Sequence, residues 1–228
     1  MESSARPADY SARMTTIFVD FDGTITEQDL LDRIAQTFGD PEIYREVDEA
    51  LDEGHISLNE VLRREFEPVR AELDAVVEWV LEHASVRSGF HEFVARARER
   101  GWRIVIVSSG FRELIEPVLA REGIEGVELL SNRVEPDPSG WRIRFRVSDD
   151  CPICGEPCKR ATVEDEPDGD LRVYVGDGIS DRCGAQACDL VFARRGLAEF
   201  LAEEGVAFAE FEDFFQVADG IDEALVRR

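Results

Sequence analysis

Lysine is nearly missing from this chain. Lys159 is the single one, and arginine supplies the rest of the 26 basic residues. Lysine is a compact point charge and arginine a broad planar fork, so a solitary lysine among arginines suggests a position where a guanidinium does not substitute. Histidine is also scarce. His55, His83 and His91 lack the spacing of a metal site, and only His55 is a candidate to face a substrate. Positive charge as a whole is short: 50 acidic against 26 basic residues give a formal net charge of −24. Such a field repels polyanions, which excludes nucleic acid and anionic membranes as partners. It fits ordinary solubility or a high-salt habitat equally well. A phosphorylated ligand would be repelled at long range too, so any phosphate site needs its own local cation. No apolar run is long enough to cross a bilayer, and no basic segment followed by an apolar stretch opens the chain. The expected compartment is the cytoplasm.

What is present suits one packed α/β unit with an insertion. Of the 228 residues, 43% are hydrophobic. Residues 1–13 are polar and aperiodic and read as a disordered tail, which makes Met14 a candidate start. Thr16-Ile17-Phe18-Val19-Asp20 reads as a short strand. Residues 27–85 read as a helical cap: Leu30, Leu31, Ile34 and Phe38 recur at helical spacing, and Gly39-Asp40-Pro41 breaks them. A helix over Gly89–Arg100, a buried strand over Arg103–Ser108 and a helix over Phe111–Arg121 follow. Val127–Leu130 and Trp141–Val147 predict a half-exposed β-hairpin. Leu171–Val175, Asp189–Ala193 and Val206–Phe208 predict three more strands. The fold class is therefore α/β, a mainly parallel Rossmann-like sheet flanked by helices. Residues 14–26 and 86–228 form its core.

Ligands of an open parallel sheet bind beyond the carboxyl ends of the strands. One strand ends in Asp20 and Asp22, a second in Ser108, Ser109 and Gly110, and a third leads to Asp177 and Asp181. Phosphoryl transfer needs an in-line nucleophile, a cation and donors aimed at the phosphoryl oxygens. Asp20 can form an acyl phosphate, and Asp22 can protonate the leaving oxygen and later take a proton from water. Mg²⁺ relieves the repulsion among the carboxylates. Ser108 and nearby backbone N–H groups bind phosphate oxygens, and Lys159 supplies the missing cation. Each piece alone is common: Asp-x-Asp arises by chance in so acidic a chain, Ser-Ser-Gly caps helices, and Gly-Asp-Gly makes turns. Together they carry weight, because each follows its own strand.

Asp20-Phe21-Asp22-Gly23-Thr24-Ile25-Thr26, Ser108-Ser109-Gly110-Phe111, Lys159 and Gly176-Asp177-Gly178-Ile179-Ser180-Asp181 resemble the four motifs of the haloacid-dehalogenase-like superfamily. The resemblance spans residues 16–193. It implies a Rossmann-like core with a helical cap inserted after the first motif. It implies Asp20 as nucleophile and Asp22 as general acid and base. Mg²⁺ would be held by the Asp20 carboxylate, the Asp22 main-chain carbonyl and Asp177, with Asp181 in or near the shell behind those ligands. Ser108 and Lys159 would hold phosphate. The expected partner is a small-molecule phosphate ester.

Within that superfamily the chain is similar to the group of phosphoserine, methionine-salvage and phosphocholine/phosphoethanolamine phosphatases. Val86–Val94 and Gly54–Leu58 resemble the methionine-salvage type most. Phosphoserine phosphatases hold their amino acid with a cap acid and a cap arginine. Counting along this chain places Asp29 and Glu65 there, the second with the wrong charge, so Arg63 or Arg64 would have to compensate. A phosphate-binding regulatory module on the same fold is the non-enzymatic alternative.

Five cysteines remain. Cys151-Pro152-Ile153-Cys154-Gly155-Glu156-Pro157-Cys158 has the tight turn of a zinc knuckle. Cys151, Cys154 and Cys158 would be three ligands of a structural Zn²⁺, with Cys183 or Cys188 as the fourth. A disulfide or free thiols are the other readings.

Overall fold

The computed structural model describes residues 15–165 and 171–227. The expected tail over residues 1–13, and Met14, lie outside the described residues. The chain opens with β1 (Thr15–Val19), whose five residues are all buried, and an irregular helical turn over Phe21–Ile25. Four helices follow: α1 (Leu30–Phe38), α2 (Pro41–Asp52), α3 (Leu58–Phe66) and α4 (Leu73–His83). Next come α5 (Phe90–Arg100), β2 (Arg103–Phe111), α6 (Arg112–Arg121), β3 (Glu128–Glu135) and β4 (Arg142–Arg144). The last third holds α7 (Arg160–Glu164), β5 (Leu171–Gly176), α8 (Arg182–Ala185), β6 (Leu190–Ala193), α9 (Arg195–Glu203), β7 (Ala209–Glu210) and α10 (Phe214–Val226).

The strands form one sheet in the order β4-β3-β2-β1-β5-β6-β7. All neighbours are parallel except β3 and β4. A hairpin exists, but its arms are Arg133–Glu135 and Arg142–Arg144; the expected first arm pairs instead with β2 through Glu128, Leu129 and Leu130, so the hairpin is the edge of the main sheet rather than an appendage. The strand expected at Val206–Phe208 is corrected: those residues join no strand, and the two-residue strand starts at Ala209. There the apolar side chains read as a strand prop up the turn after α9, with Val206 and Phe208 packed against the smaller core.

Alternation along the strands splits the core into two layers. Ile17, Val19, Ile104, Ile106, Val173 and Val175 face Phe90, Phe93, Phe214 and Val217 of α5 and α10. Phe18, Val105, Val107, Tyr174 and Val191 face Val163, Leu197 and Leu201. Side chains buried so fully contribute about 1.5–3 kcal/mol each, which makes the sheet the rigid part of the molecule.

The segment carrying α1 to α4 leaves and returns side by side. Thr26 and Val86 bridge antiparallel, with Glu27 N donating to Ser85 O at 2.9 Å and Arg87 N to Ile25 O at 2.7 Å. Its helices are capped as their sequences dictate: Asp29 accepts from Asp32 N, Asp40 from Glu42 N, and Ser57 from Glu60 N. Phe66 of α3 meets Phe111 edge-on with centroids 4.7 Å apart, and the Trp141 indole donates to Ala71 O at 3.0 Å. No described helix is long and apolar enough to cross a membrane.

Glu65 of α3 is 8% exposed. Burial, then Asp32, Asp48 and Asp29, push its carboxyl from 4.5 up to about 8. The folded protein therefore holds a proton that the unfolded chain releases near 4.5, and stability falls as pH rises between those values. Glu65→Gln is expected to abolish that fall. Thermal denaturation from pH 5 to 8.5 should show the variant gaining on the parent by a few kcal/mol at the alkaline end, at about 1.36 kcal/mol per unit.

Candidate active site

β1 is the central strand, and the chain builds the sheet on either side of it, β2 and β3 first and β5 to β7 afterwards. Its carboxyl end is thus the topological switch point, where an open sheet leaves a crevice. Asp20 sits there, 6% exposed, with its N–H on Val175 O at 2.9 Å. The cleft above it is lined from the sheet by Asp20, Asp22, Ser108, Ser109, Gly110 and Asp177, and from the helices by Asp29, Asp32, Asp48 and Glu65 beside Leu31, Leu51, Leu58, Val61 and Leu62. Three sequence-distant strand ends therefore meet as expected.

Lys159 lies buried beneath this cleft. Its Nζ donates to Asp20 Oδ1 at 2.6 Å and to Asp181 Oδ1 at 2.7 Å. Burial alone would favour a neutral amine, but the Asp181 and Asp20 carboxylates raise its pKa overall, so it is a fixed cation. Asp181 is fully buried and saturated. Besides Lys159, Oδ1 accepts from Tyr174 Oη at 2.8 Å, and Oδ2 accepts from the N–H groups of Asp177 and Gly178 at 3.0 and 3.1 Å. It orients its neighbours and has no lone pair to spare for a metal.

Asp20 and Asp177 do. Their carboxylate oxygens and that of Asp181 lie within 4.8 Å of one another. Burial first, then Asp181, raises Asp20 well above the ordinary range despite Lys159. Burial and Asp181 likewise raise Asp177 despite the Thr24 hydroxyl at 3.0 Å and Arg195 Nη1 at 3.3 Å. Close-set buried oxygens short of positive charge are the donor set of a hard divalent cation, so these residues fit magnesium.

The local backbone is shaped to hold this arrangement. Gly23 has φ +75°, and a Cβ there would stand 2.3 Å from Asp177 Oδ2. A Cβ on Gly110 would stand 2.8 Å from Asp22 Oδ2. The β2–β3 register breaks between Ser108 and Phe111, which lifts Ser109 and Gly110 out of the ladder and toward the cleft. Ser108 Oγ accepts from Gly110 N at 2.8 Å. Asp22 accepts from Leu31 N at 3.3 Å, and burial, then Asp29, raises its carboxyl to about 8. A protonated Asp22 can donate to a leaving oxygen.

The chain matches the haloacid dehalogenase-like hydrolase family over residues 17–186. The chain belongs to that family. It is 31% identical over 225 residues to a 2-hydroxy-3-keto-5-methylthiopentenyl-1-phosphate phosphatase of Brevibacillus brevis, covering 94% of this chain and 100% of the relative. It is 34% identical to an enzyme of the same name from Geobacillus kaustophilus, covering 92% and 96%. Among solved structures it resembles phosphoserine phosphatase from T. onnurineus, with TM-score 0.67 over 96% of this chain and 98% of that one. At 20% identity, that likeness carries the fold alone. Like these relatives, this haloacid dehalogenase-like protein is a phosphoric monoester hydrolase.

Several expectations fare differently. No lysine or arginine is among the described residues lining the cleft. Arg63 pairs with Glu60, and Arg64 pairs with Glu46 at 2.6 Å, so neither compensates for Glu65. His55 is on the surface beside Glu53 at 3.0 Å and does not line the cleft. Cys151, Cys154, Cys158 and Cys183 come together, whereas Cys188 stays apart, its thiol toward Gly184 O.

Arg87 is the residue that sequence reasoning missed. It is 7% exposed, and its guanidinium donates to Thr24 O at 2.7 Å, Gly23 O at 2.8 Å and Thr26 O at 3.0 Å. Three carbonyls of the catalytic turn thus rest on one side chain from across the insertion. The signal was an arginine beside the return point of the insertion, which spacing alone does not distinguish from a surface charge. Arg87→Ala strands those carbonyls, and charged hydrogen bonds contribute about 1.5–3 kcal/mol each. A fall in thermal midpoint of at least roughly 5 °C, with kcat reduced more than KM is raised, is the expected result. Calorimetry and steady-state kinetics check it.

Proposed function

We propose that this protein hydrolyses a small phosphate monoester whose leaving group carries no negative charge, through a phosphoryl group held transiently on Asp20. One observation carries the reading: Asp20 and Asp22 open onto the same cleft as Ser108 and Asp177, with the Lys159 ammonium fixed on Asp20 Oδ1. The free Asp20 oxygen attacks phosphorus as the ester oxygen departs with a proton from Asp22. Water then attacks the acyl phosphate, Asp22 takes a proton back, and inorganic phosphate leaves. Ser108 and the N–H groups of the lifted β2 end receive phosphoryl oxygens, and Lys159 balances their charge. Magnesium would be held by Asp20, Asp177 and the Asp22 carbonyl, and when bound it neutralises the phosphoryl oxygens and draws the neighbouring carboxyls toward ionisation. The helices over residues 27–85 act as the cap, closing the cleft against residues 86–228. The expected compartment is the cytoplasm, which suits five unpaired thiols.

The cap wall supports the substrate class. It offers carboxyl groups and aliphatic side chains, and no cation among its described residues. A leaving group bearing a carboxylate, as in phosphoserine, would bury that charge unpaired. An uncharged hydroxy-keto chain ending in a methylthio group, the ester named for the relatives from Brevibacillus and Geobacillus, would set its apolar end on Leu31, Leu51, Leu58, Val61 and Leu62. The same acidic wall favours a second reading, a cationic leaving group of the phosphocholine or phosphoethanolamine kind.

Asp20→Asn is expected to abolish magnesium-dependent hydrolysis and the trapping of an acid-stable, hydroxylamine-sensitive phosphoenzyme. Full activity in that variant would overturn Asp20 as the nucleophile. Asp22→Asn should slow alkyl phosphates by about 10²–10⁴-fold but p-nitrophenyl phosphate far less, since nitrophenolate departs without a proton. A panel of phosphate esters, scored by kcat/KM, should place phosphoserine below the neutral and cationic esters. Phosphoserine at the top would overturn the proposed substrate class.

A further inference from the structure

We infer that Cys151, Cys154, Cys158 and Cys183 bind one structural zinc ion, and that this ion locks Lys159 into its place between Asp20 and Asp181. The four sulfurs all lie within 4.8 Å of one another, with Cys151 and Cys183 Sγ atoms 3.9 Å apart. Zinc–thiolate bonds of about 2.3 Å in a tetrahedron set sulfurs roughly 3.8 Å apart. The arrangement is thus a slightly expanded ligand set, and it is unlike a disulfide, whose sulfurs would sit about 2.05 Å apart. The first two ligands come from a knuckle. Cys151 N donates to Glu156 O at 3.1 Å and Gly155 N to Cys151 O at 2.8 Å, while Ile153 N points at Cys151 Sγ at 3.5 Å. Backbone N–H groups aimed at sulfur favour the thiolate a metal needs. Four sulfur donors at tetrahedral spacing suit zinc, which has no geometric preference of its own and closes structural sites of four cysteines. Each thiol that binds surrenders its proton to solvent.

The consequence lies in where the ligands sit along the chain. Cys158 directly precedes Lys159. Cys183 follows Asp181 by two residues, within the short α8. The ion therefore ties together the two segments whose side chains form the buried Lys159–Asp181 pair. The residues before Lys159 have little else to fix them: Ile153 is 63% exposed, Cys154 is exposed, and no regular element runs between β4 and α7. This role for the ion rests on the proposed function of Lys159 as the phosphate cation. The ion's presence does not.

The test starts from the full chain purified without chelator from zinc-supplemented medium. One zinc per chain by mass spectrometry of the metal is expected, and replacing it with cobalt should give the intense visible bands of a tetrahedral thiolate site. Cys154→Ser should weaken zinc retention at least about 10-fold, and Cys188→Ser should retain zinc as the parent does. In Cys154→Ser, inhibition by inorganic phosphate should weaken while far-UV circular dichroism stays unchanged. Trace zinc with all five thiols freely reactive would overturn the site, as would iron in its place or equal zinc loss in Cys188→Ser. Unchanged phosphate inhibition in a zinc-free Cys154→Ser protein would overturn the locking of Lys159. Should that variant fail to fold, the metal content and cobalt spectrum of the parent still decide the site. Neither readout depends on catalysis, so an inactive but zinc-loaded protein would count against the proposed function alone.

Discussion

The buried ammonium of Lys159, shared between Asp20 and Asp181, is the constraint around which the rest of the site is arranged. Removing one partner of such a pair costs about 3–5 kcal/mol, because the other charges stay buried without compensation. It is therefore a demanding feature for the fold to carry. The fold meets the demand by saturating Asp181 with Tyr174 and two backbone N–H groups, so that one carboxylate is spent wholly on orientation. That leaves Asp20 with one oxygen held and one facing the cleft. The geometry agrees with the different parts the sequence reading gives the two aspartates: Asp181 is fully engaged in holding its neighbours, and Asp20 lines the cleft, as the proposed nucleophile must.

The same division explains why the site needs both a rigid sheet and an insertion. The sheet fixes Asp20, Ser108 and Asp177 at adjacent strand ends, where neither long-range field nor loop flexibility disturbs them. The insertion supplies one wall of the cleft, which the proposed function assigns to the leaving group. The two are joined at the Thr26–Val86 bridge, and Arg87 stands at that junction with its guanidinium under the catalytic turn. The backbone next to Asp22 is thereby tied to the return point of the insertion.

Helices α8, α9 and α10 were not read from the sequence, whereas the parallel strands, the strand ends that bear Asp20, Ser108 and Asp177 and the special position of Lys159 were legible from it. They depend on local patterns: apolar runs that stop at aspartate or serine, and one residue type used once. The misses share a cause. Arg87 acts on carbonyls more than sixty residues away, and no local pattern encodes which backbone groups a distant guanidinium will reach. The choice between Cys183 and Cys188 was open for the same reason, since both follow the fourth motif and only the turn of α8 separates them. Val206–Phe208 failed differently: an apolar triplet can be a strand or a prop for a turn, and its neighbours in space decide.

A net charge of −24 opposes the approach of a phosphate ester, and distance resolves the conflict. Beyond about 8–10 Å, physiological salt screens the field of the surface carboxylates, so repulsion acts mainly on the rate of approach. In the proposed mechanism, interactions inside the cleft run over a few ångströms, where Lys159, the lifted backbone amides of β2 and a divalent cation held by Asp20 and Asp177 would set affinity. The phosphate end is attracted locally and repelled globally. On the proposed reading, the other end of the substrate meets the cap wall, where no cation among the described lining residues offsets a second anion. If the proposed substrate class holds, the acidity that looks hostile to the reaction acts as a filter: it admits one phosphate group, at the place where Lys159 lies, and disfavours molecules with a second anionic group.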